Sequence, residues 1–333
     1  MPIGRKSPSP AAKVYNETLE GNLGSVQESR LEQGVVEMKP PDPTSQVAPK
    51  KILFATDFSP ASEAALPYAI SLAGHYGSNL CFAHVISLDY PDFPPPEERA
   101  AKLQQAREFT ERELKHLLEA ARQKGISCQP LIGEGTVWNV LSEMIHKNGI
   151  DLAILGTHGR RGLKKLRLGS VAEEVLRMAP CPVLTVGPKT SETFSVDIQP
   201  SHVLYAVDFV PDTSHAAAYA VSLAEEYRAK LTFIKILEET IASPELKAQI
   251  REPVRHWMDD HVPAASVLRE RTSFELGFGR AAEGILKFAS DRGVDLIVMS
   301  VRRLDPVIAA HLPETDTAYE VVCTAHCPVL TVR

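Results

Sequence analysis

A chain of 333 residues has the length of about two ordinary domains. Its apolar share of 44% and charged share of 23% suit a globular protein with buried cores, and a formal net charge of −6 leaves no overall basic field, which argues against general nucleic-acid binding. No apolar run approaches the roughly 20 residues of a membrane span. The segment from Met1 to Lys13 lacks the apolar stretch of a secretory signal, and five cysteines, an odd number, do not read as a disulfide framework. The expectation is a cytoplasmic protein with no nucleic-acid or membrane partner. Cys323 and Cys327 flank His326, but a zinc site needs four ligands and no second pair is in view, so they read as small side chains at a helix-to-strand corner and no metal site is expected.

Residues 1–49 are dominated by Pro, Ser, Gln, Glu and Lys, with apolar residues scattered without period, which reads as a disordered arm. The pattern then changes. Ile52-Leu53-Phe54-Ala55 is a short apolar run of the buried-strand type. Ser59 suits a helix N-cap and Pro60 the first helical position. Apolar residues at helical spacing follow, with Gly74 and Gly77 closing the helix. Further strands are expected at 80–86, 127–132, 152–155 and 182–186, and further helices at 97–124, 137–147 and 170–178. Alternating strands and amphipathic helices imply a doubly wound parallel sheet, an α/β fold with right-handed crossovers.

The same order then restarts. Residues 203–209 echo 52–58, 231–236 echo 80–86, Gly277-Phe278-Gly279 echoes Gly133-Glu134-Gly135, and 295–299 echo 151–155. Cys327-Pro328-Val329-Leu330-Thr331-Val332 repeats Cys181-Pro182-Val183-Leu184-Thr185-Val186 without a change. The chain therefore divides into an arm (1–49), a first copy (50–187), a Pro/Ser/Thr-containing linker (188–200) and a second copy (201–333).

The chemistry of the first copy sits after its fourth strand, in the stretch from Gly156 to Ser170. In an open parallel sheet, ligands bind beyond the carboxyl ends of strands where the strand order reverses. Gly156 and Gly159 allow the backbone to turn and approach a phosphate with no Cβ in the way. Gly169-Ser170 opens the next helix, whose free N–H groups and dipole favour an anion. The Ser170 hydroxyl adds a donor for a phosphate oxygen or a metal-bound water. Of the five basic residues between, Arg160 is the one expected to touch phosphate.

The spacing Gly-x2-Gly-x9-Gly-Ser, the opening Lys51-Ile52-Leu53-Phe54-Ala55-Thr56-Asp57-Phe58-Ser59 and the closing Cys-Pro-Val-Leu-Thr-Val resemble the universal stress protein family, over 50–187 well and 201–333 more loosely. The resemblance implies a five-stranded sheet of the adenine-nucleotide α-hydrolase type in the order 3-2-1-4-5, and association through the last strands. It also implies ATP with Mg2+ or Mn2+ as ligand. Asp57 would then bind the ribose, Ala55 and Thr56 would flank the nucleoside, and Val85 would meet adenine through its backbone. Gly156, His158 and Gly159 would lie along ribose and phosphates, and Gly169, Ser170 and Val171 would hold the phosphates. Two of these residues have a second reading: Asp57 as a helix-start cap, and His158 as a general base, for which nothing in the sequence supplies an orienting partner. His84 reads as packing.

In the second copy none of the motif's glycines survives. Asp305, Glu314 and Asp316 bring negative charge where an anion would sit, and only Asp208 keeps the ribose-type position. This copy is expected to bind no ATP, or to bind it weakly, and to serve packing or a partner, with an unrelated small ligand in the altered pocket as the runner-up. The reading is an ATP-binding regulatory or stress-response protein, with no nucleophile constellation that would mark an enzyme. The alternatives are slow ATP hydrolysis, an ATP-dependent enzyme of the same architecture, or an interaction protein without nucleotide. The two copies are expected to pair within the chain as a pseudo-dimer through their last strands, with a homodimer as a further possibility.

Overall fold

The computed structural model describes residues 47–87, 96–157, 168–190, 199–207, 214–237, 261–262, 266–301 and 317–333. Residues 1–46, where almost all of the expected arm falls, lie outside these.

The first copy runs β1 (Lys51–Ala55), α1 (Pro60–Glu63), α2 (Leu66–Tyr76), β2 (Asn79–Ser87), α3 (Pro96–Gln123), β3 (Cys128–Gly135), α4 (Val137–Asn148), β4 (Leu152–Gly156), α5 (Ser170–Met178) and β5 (Val183–Val186). The second runs β6 (His202–Ala206), α6 (Ser214–Glu226), β7 (Lys230–Leu237), β8 (Thr272–Phe278), α7 (Ala281–Asp291), β9 (Leu296–Ser300), α8 (Thr317–Thr324) and β10 (Val329–Val332). No described helix is long and apolar enough to cross a membrane.

Two local departures from the sequence expectation have simple causes. Ser59 caps a helix with Pro60 at its start, as expected, its hydroxyl accepting from Ser62 N–H at 3.2 Å. That helix stops after one turn, because Pro67 has no N–H to offer the Glu63 carbonyl, and a second helix starts at Leu66. Gly74 lies inside this second helix, and Gly77, at φ +64°, alone supplies the left-handed turn that ends it. Strand β3 also runs past Ile132 through Gly133-Glu134-Gly135, which pair with Val85, Ile86 and Ser87 of β2.

The ten described strands form one sheet in the order β3-β2-β1-β4-β5-β10-β9-β6-β7-β8. Each half therefore has the order 3-2-1-4-5, all parallel, as the resemblance implies. The halves join where β5 and β10 pair antiparallel, Leu184 opposite Leu330. These two residues hold the same place in the repeat, so a local two-fold axis passes between them. The hydroxyls of Thr185 and Thr331 close the seam symmetrically, donating to the carbonyls of Val329 (3.1 Å) and Val183 (3.2 Å).

Strand side chains alternate between two cores. One face buries Ile52, Phe54, Phe82 and Ile154 under α2 and α3, and Tyr205, Phe233 and Val298 under α6. The other buries Leu53, Ala153 and Leu155 under α4 and α5, and Leu204, Ile297 and Met299 under α7 and α8. Cys181, Cys323 and Cys327 belong to this second core. Burial pushes the Cys181 and Cys327 thiols up to about 12 and that of Cys323 to about 11, so they pack as protonated, small apolar groups.

Candidate functional site

β1 is followed along the chain by β2 on one side in the sheet and pairs β4 on the other, so the strand order reverses at its carboxyl end. β1 ends at Ala55, opposite Ala83, while β2 continues to Ser87 beside β3 alone. Val85 therefore lies on an overhang with no β1 residue next to it, half-buried, its side chain against the second core. Ala55 is likewise half-buried there.

The turn after β1 is built by its own side chains. Thr56 is buried, its N–H donating to the Ala83 carbonyl at 2.9 Å. Its hydroxyl accepts from Phe58 N–H (2.9 Å) and lies 3.0 Å from Ser62 Oγ. Since Ser62 Oγ donates to the Ser59 carbonyl (2.9 Å), the proton between the two hydroxyls comes from Thr56. The Thr56 side chain thus ties β1 to α1, and only its backbone is left for a nucleoside. Asp57 Oδ1 accepts from Ser59 N–H at 3.0 Å, a local turn bond that orients the carboxylate, while the helix start itself is capped by Ser59 rather than by Asp57. Phe58, at φ +57°, sits in a left-handed conformation that costs a non-glycine residue about 1 kcal/mol. Its ring packs on His84 (centroids 4.5 Å) and edge-on to Phe109 (5.7 Å). His84 bonds the Thr56 carbonyl through Nδ1 at 2.8 Å, consistent with a packing role.

Gly156 has a different reason to be glycine from the one its spacing suggested. A Cβ there would stand 2.3 Å from the Ala61 carbonyl oxygen, so its first service is to let α1 lie against β4. After Thr157 the chain enters 158–167, so the expected His158, Gly159 and Arg160 lie outside the described residues. It returns at Leu168, and Gly169 N–H donates to the Thr157 carbonyl at 2.8 Å, which brings the two flanks of that stretch together. Gly169 is the N-cap of α5 and no side chain caps the helix there. The first-turn N–H groups thus keep the partial positive charge of a helix start. Ser170 is exposed, and Val171 is half-buried with its side chain against the second core. Ala55, Thr56, Asp57, Gly156, Gly169, Ser170 and Val171 therefore come to one end of the sheet around the β1/β4 reversal, with Val85 on the neighbouring overhang.

One contact to this site was not legible in the motif. The Tyr319 hydroxyl, on α8 of the second half, accepts from Leu168 N–H at 3.3 Å, one residue before the helix start. The second half thereby touches the first half's loop, and no local spacing announces it.

The equivalent end of the second half is repacked. By strand register Ser300 stands where Gly156 stands, Lys235 where His84 stands, and Ile236 where Val85 stands. In the first half Val140 leans over Gly133, filling the space a Cβ would take. In the second, position 284 is glycine instead, and Ile236 extends over both Gly277 and Gly284. Volume has moved from the helix to the strand end, a swap that conserves packing. Asp208, Asp305, Glu314 and Asp316 lie outside the described residues.

Among the described residues no group of three His, Cys, Asp or Glu side chains is arranged to hold a metal ion.

Comparison with known proteins agrees with this architecture. The model of the universal stress protein family matches residues 49–187 and again 200–333. Universal stress protein MJ0531 of Methanocaldococcus jannaschii is 33% identical over 139 residues, 41% of this chain and 81% of that protein. Universal stress protein A homolog 1 of Coxiella burnetii is 35% identical over 148 residues, 42% of this chain and 97% of that protein. These relatives thus correspond to a single copy of the repeat. A universal stress protein structure from Archaeoglobus fulgidus matches both halves together, covering 85% of this chain and 98% of its own, with a TM-score of 0.65 at 20% identity, a likeness of fold. With two family domains, each carrying the 3-2-1-4-5 sheet, the chain belongs to the universal stress protein family.

Proposed function

We propose that the first half binds ATP and that the protein is a nucleotide-responsive stress regulator rather than a fast enzyme. The observation that carries this reading is the start of α5, with no side-chain cap, opening beside the carboxyl ends of β1 and β4. Backbone N–H groups of Gly169, Ser170 and Val171 would hold phosphate oxygens, helped by the Ser170 hydroxyl. Asp57, oriented by its bond to Ser59, would take the ribose hydroxyls, and the overhanging Val85 backbone would take the adenine edge. His158, Gly159 and Arg160 would complete the loop along the phosphates. A magnesium or manganese ion accompanying the triphosphate would draw its ligands mainly from phosphate oxygens and water. The second half serves as a partner surface: Ser300 replaces Gly156, and Ile236 fills the strand end. Together with Asp305, Glu314 and Asp316 in its sequence, this disfavours a nucleotide there.

The test is to purify the full chain, denature it, identify any released nucleotide, and titrate the nucleotide-free protein with ATP and Mg2+ by calorimetry. One ATP per chain is expected. Recovery of no nucleotide together with no heat of binding would overturn the reading. Replacing Gly169 with a bulky residue should weaken ATP binding at least tenfold; unchanged binding would mean that the phosphate site is elsewhere.

A further inference from the structure

Helix α5 is nine residues long, and the proposed phosphate contacts lie at its start. A helix this short takes its direction from what packs on it rather than from its own hydrogen bonds. Within the first half, Gly169 N–H donates to the Thr157 carbonyl (2.8 Å), and Ala172, Val175 and Leu176 are buried in the second core. Two further holds come from the second half, one at each end of the helix. At the entry, Leu168 N–H donates to the Tyr319 hydroxyl at 3.3 Å. Burial pushes the Cys323 thiol up, and the Tyr319 hydroxyl and Leu168 N–H draw it back, so its sulfur lies beside both. At the exit, Arg333 Nη2 donates to the Leu176 carbonyl at 3.0 Å.

Each hold suits its end of the helix. The last carbonyls of a helix lack an intrahelical partner and carry its partial negative charge, which a guanidinium both satisfies and offsets. Leu168 stands one residue before the N-cap Gly169, so Tyr319 takes no donor from the first turn. The two halves do not return these contacts alike. By the register of the identical Cys-Pro-Val-Leu-Thr-Val endings, Tyr319 corresponds to Glu173, Cys323 to Arg177 and Arg333 to Gly187. Glu173 and Arg177 pair with each other along α5 at 2.7 Å, and Gly187 has no side chain with which to reach α8. The groups that grip α5 have thus arisen in the half that lost the glycine motif.

We propose that the second half positions the phosphate-holding helix of the first, with Tyr319 at its entry and Arg333 at its exit, so that ATP affinity is set across the seam. This rests on the reading that the start of α5 holds the phosphates. Tyr319 and Arg333 are positioning residues: they act on the nucleotide through the direction of α5. Donors at a helix start must converge on the phosphate oxygens, and releasing the helix at either end adds an ordering cost to binding. The coupling is reciprocal, so ATP held by the first half would in turn tighten the contact with α8. The second half thereby takes part in nucleotide binding without a nucleotide of its own.

The test uses the full chain and calorimetric titration with ATP and with adenosine. Tyr319→Phe removes the hydroxyl and keeps the ring; Arg333→Met removes the cation and keeps most of the stem. Each should weaken ATP binding about fivefold, while adenosine, which lacks the phosphates, binds as it does to the parent. Arg333→Lys, which returns a cation to the helix end, should recover most of the loss. The two variants act at opposite ends of α5, so either serves should the other not fold. Amide hydrogen exchange without nucleotide gives a second readout: residues 168–178 should exchange faster in the variants, and residues 137–148 at the parent's rate. Unchanged ATP affinity in the variants, equal losses for ATP and adenosine, or unchanged exchange over 168–178 would overturn this inference alone. A parent chain that binds no ATP would overturn it together with the reading on which it rests.

Discussion

His75 Nε2 lies 2.9 Å from Glu226 Oε1, and the two residues are 151 positions apart, the spacing that also relates Tyr76 to Tyr227. The axis thus brings a position of the repeat against its own counterpart. Two identical copies would set like against like there; this chain sets an imidazole against a carboxylate. The His75 ring also stacks on Tyr227 (4.7 Å, 27°) and meets Tyr76 edge-on (4.8 Å, 90°). Duplication within one chain is what permits the two positions to diverge into complements.

The pair is partly exposed, with side-chain exposures of 31% and 24%, so screening keeps its value small. Glu226→His should lower the urea-unfolding free energy by about 0.5–1 kcal/mol, whereas Glu226→Gln, which keeps an acceptor, should stay within about 0.5 kcal/mol of the parent.

Gly156→Ala tests the packing reason for that glycine. The added Cβ meets a carbonyl oxygen of the backbone, which cannot swing aside as a side chain can. A loss of about 2–4 kcal/mol is expected, seen as a lower Tm in the absence of any nucleotide. A Tm equal to the parent's would show that α1 does not rest on β4 as described.

Arg228 takes φ +51° at the position where the first half has Gly77 at +64°. An arginine pays there for a backbone state that glycine adopts freely, while its carbonyl accepts from Arg271 Nη1 in a bond that needs no side chain. Arg228→Gly should raise stability by about 0.5–1 kcal/mol, and the reverse change Gly77→Arg should lower it by a similar amount, both read from denaturant midpoints.

His202, buried at the start of β6, has its Nδ1 3.3 Å from the Arg292 carbonyl and its Nε2 2.9 Å from Thr232 Oγ1. Desolvation by burial holds its pKa below the ordinary 6.5. The unfolded chain therefore binds the proton first. The stability this residue contributes is complete above pH ~6.5 and is lost as pH falls below it toward the folded-state value. Between pH 7 and 5.5 the unfolding free energy should fall, and His202→Asn should flatten that slope. An equal slope in the variant would assign it to other groups.

Much of the fold was legible in the sequence because its signals are local. Apolar runs of strand length, Ser59-Pro60 at a helix start, and a six-residue identity at 181–186 and 327–332 together give the alternation of strands and helices and its duplication. At Asp57 and Gly169-Ser170 the sequence already showed the strand end and the helix start on which the proposed site rests, because both are short-range patterns. Thr56 and Gly156 stand at the carboxyl ends of β1 and β4, and the structure gives each a packing role that the spacing did not announce. Thr56 spends its hydroxyl on the turn, and Gly156 makes room for Ala61, a residue nearly a hundred positions earlier. The paired Tyr-Ala-x-Ser-Leu-Ala-x-x-Tyr segments at 68–76 and 219–227 stood in the sequence as a repeat, yet their meeting at an axis could not be read there.

Sequence alone determined the two α/β units and the loss of the glycine pattern in the second, because periodicity and backbone-permissive residues act over a few positions; the 3-2-1-4-5 order followed from the family resemblance and is the order the sheet has. Tertiary structure decided what those units do to one another. The antiparallel match of Leu184 with Leu330 sets the axis; the axis then brings Tyr319 to Leu168, His75 to Glu226, and Arg333 to Leu176. Each of these contacts joins residues about 150 positions apart, and which of them touch depends on the single register with which β5 meets β10.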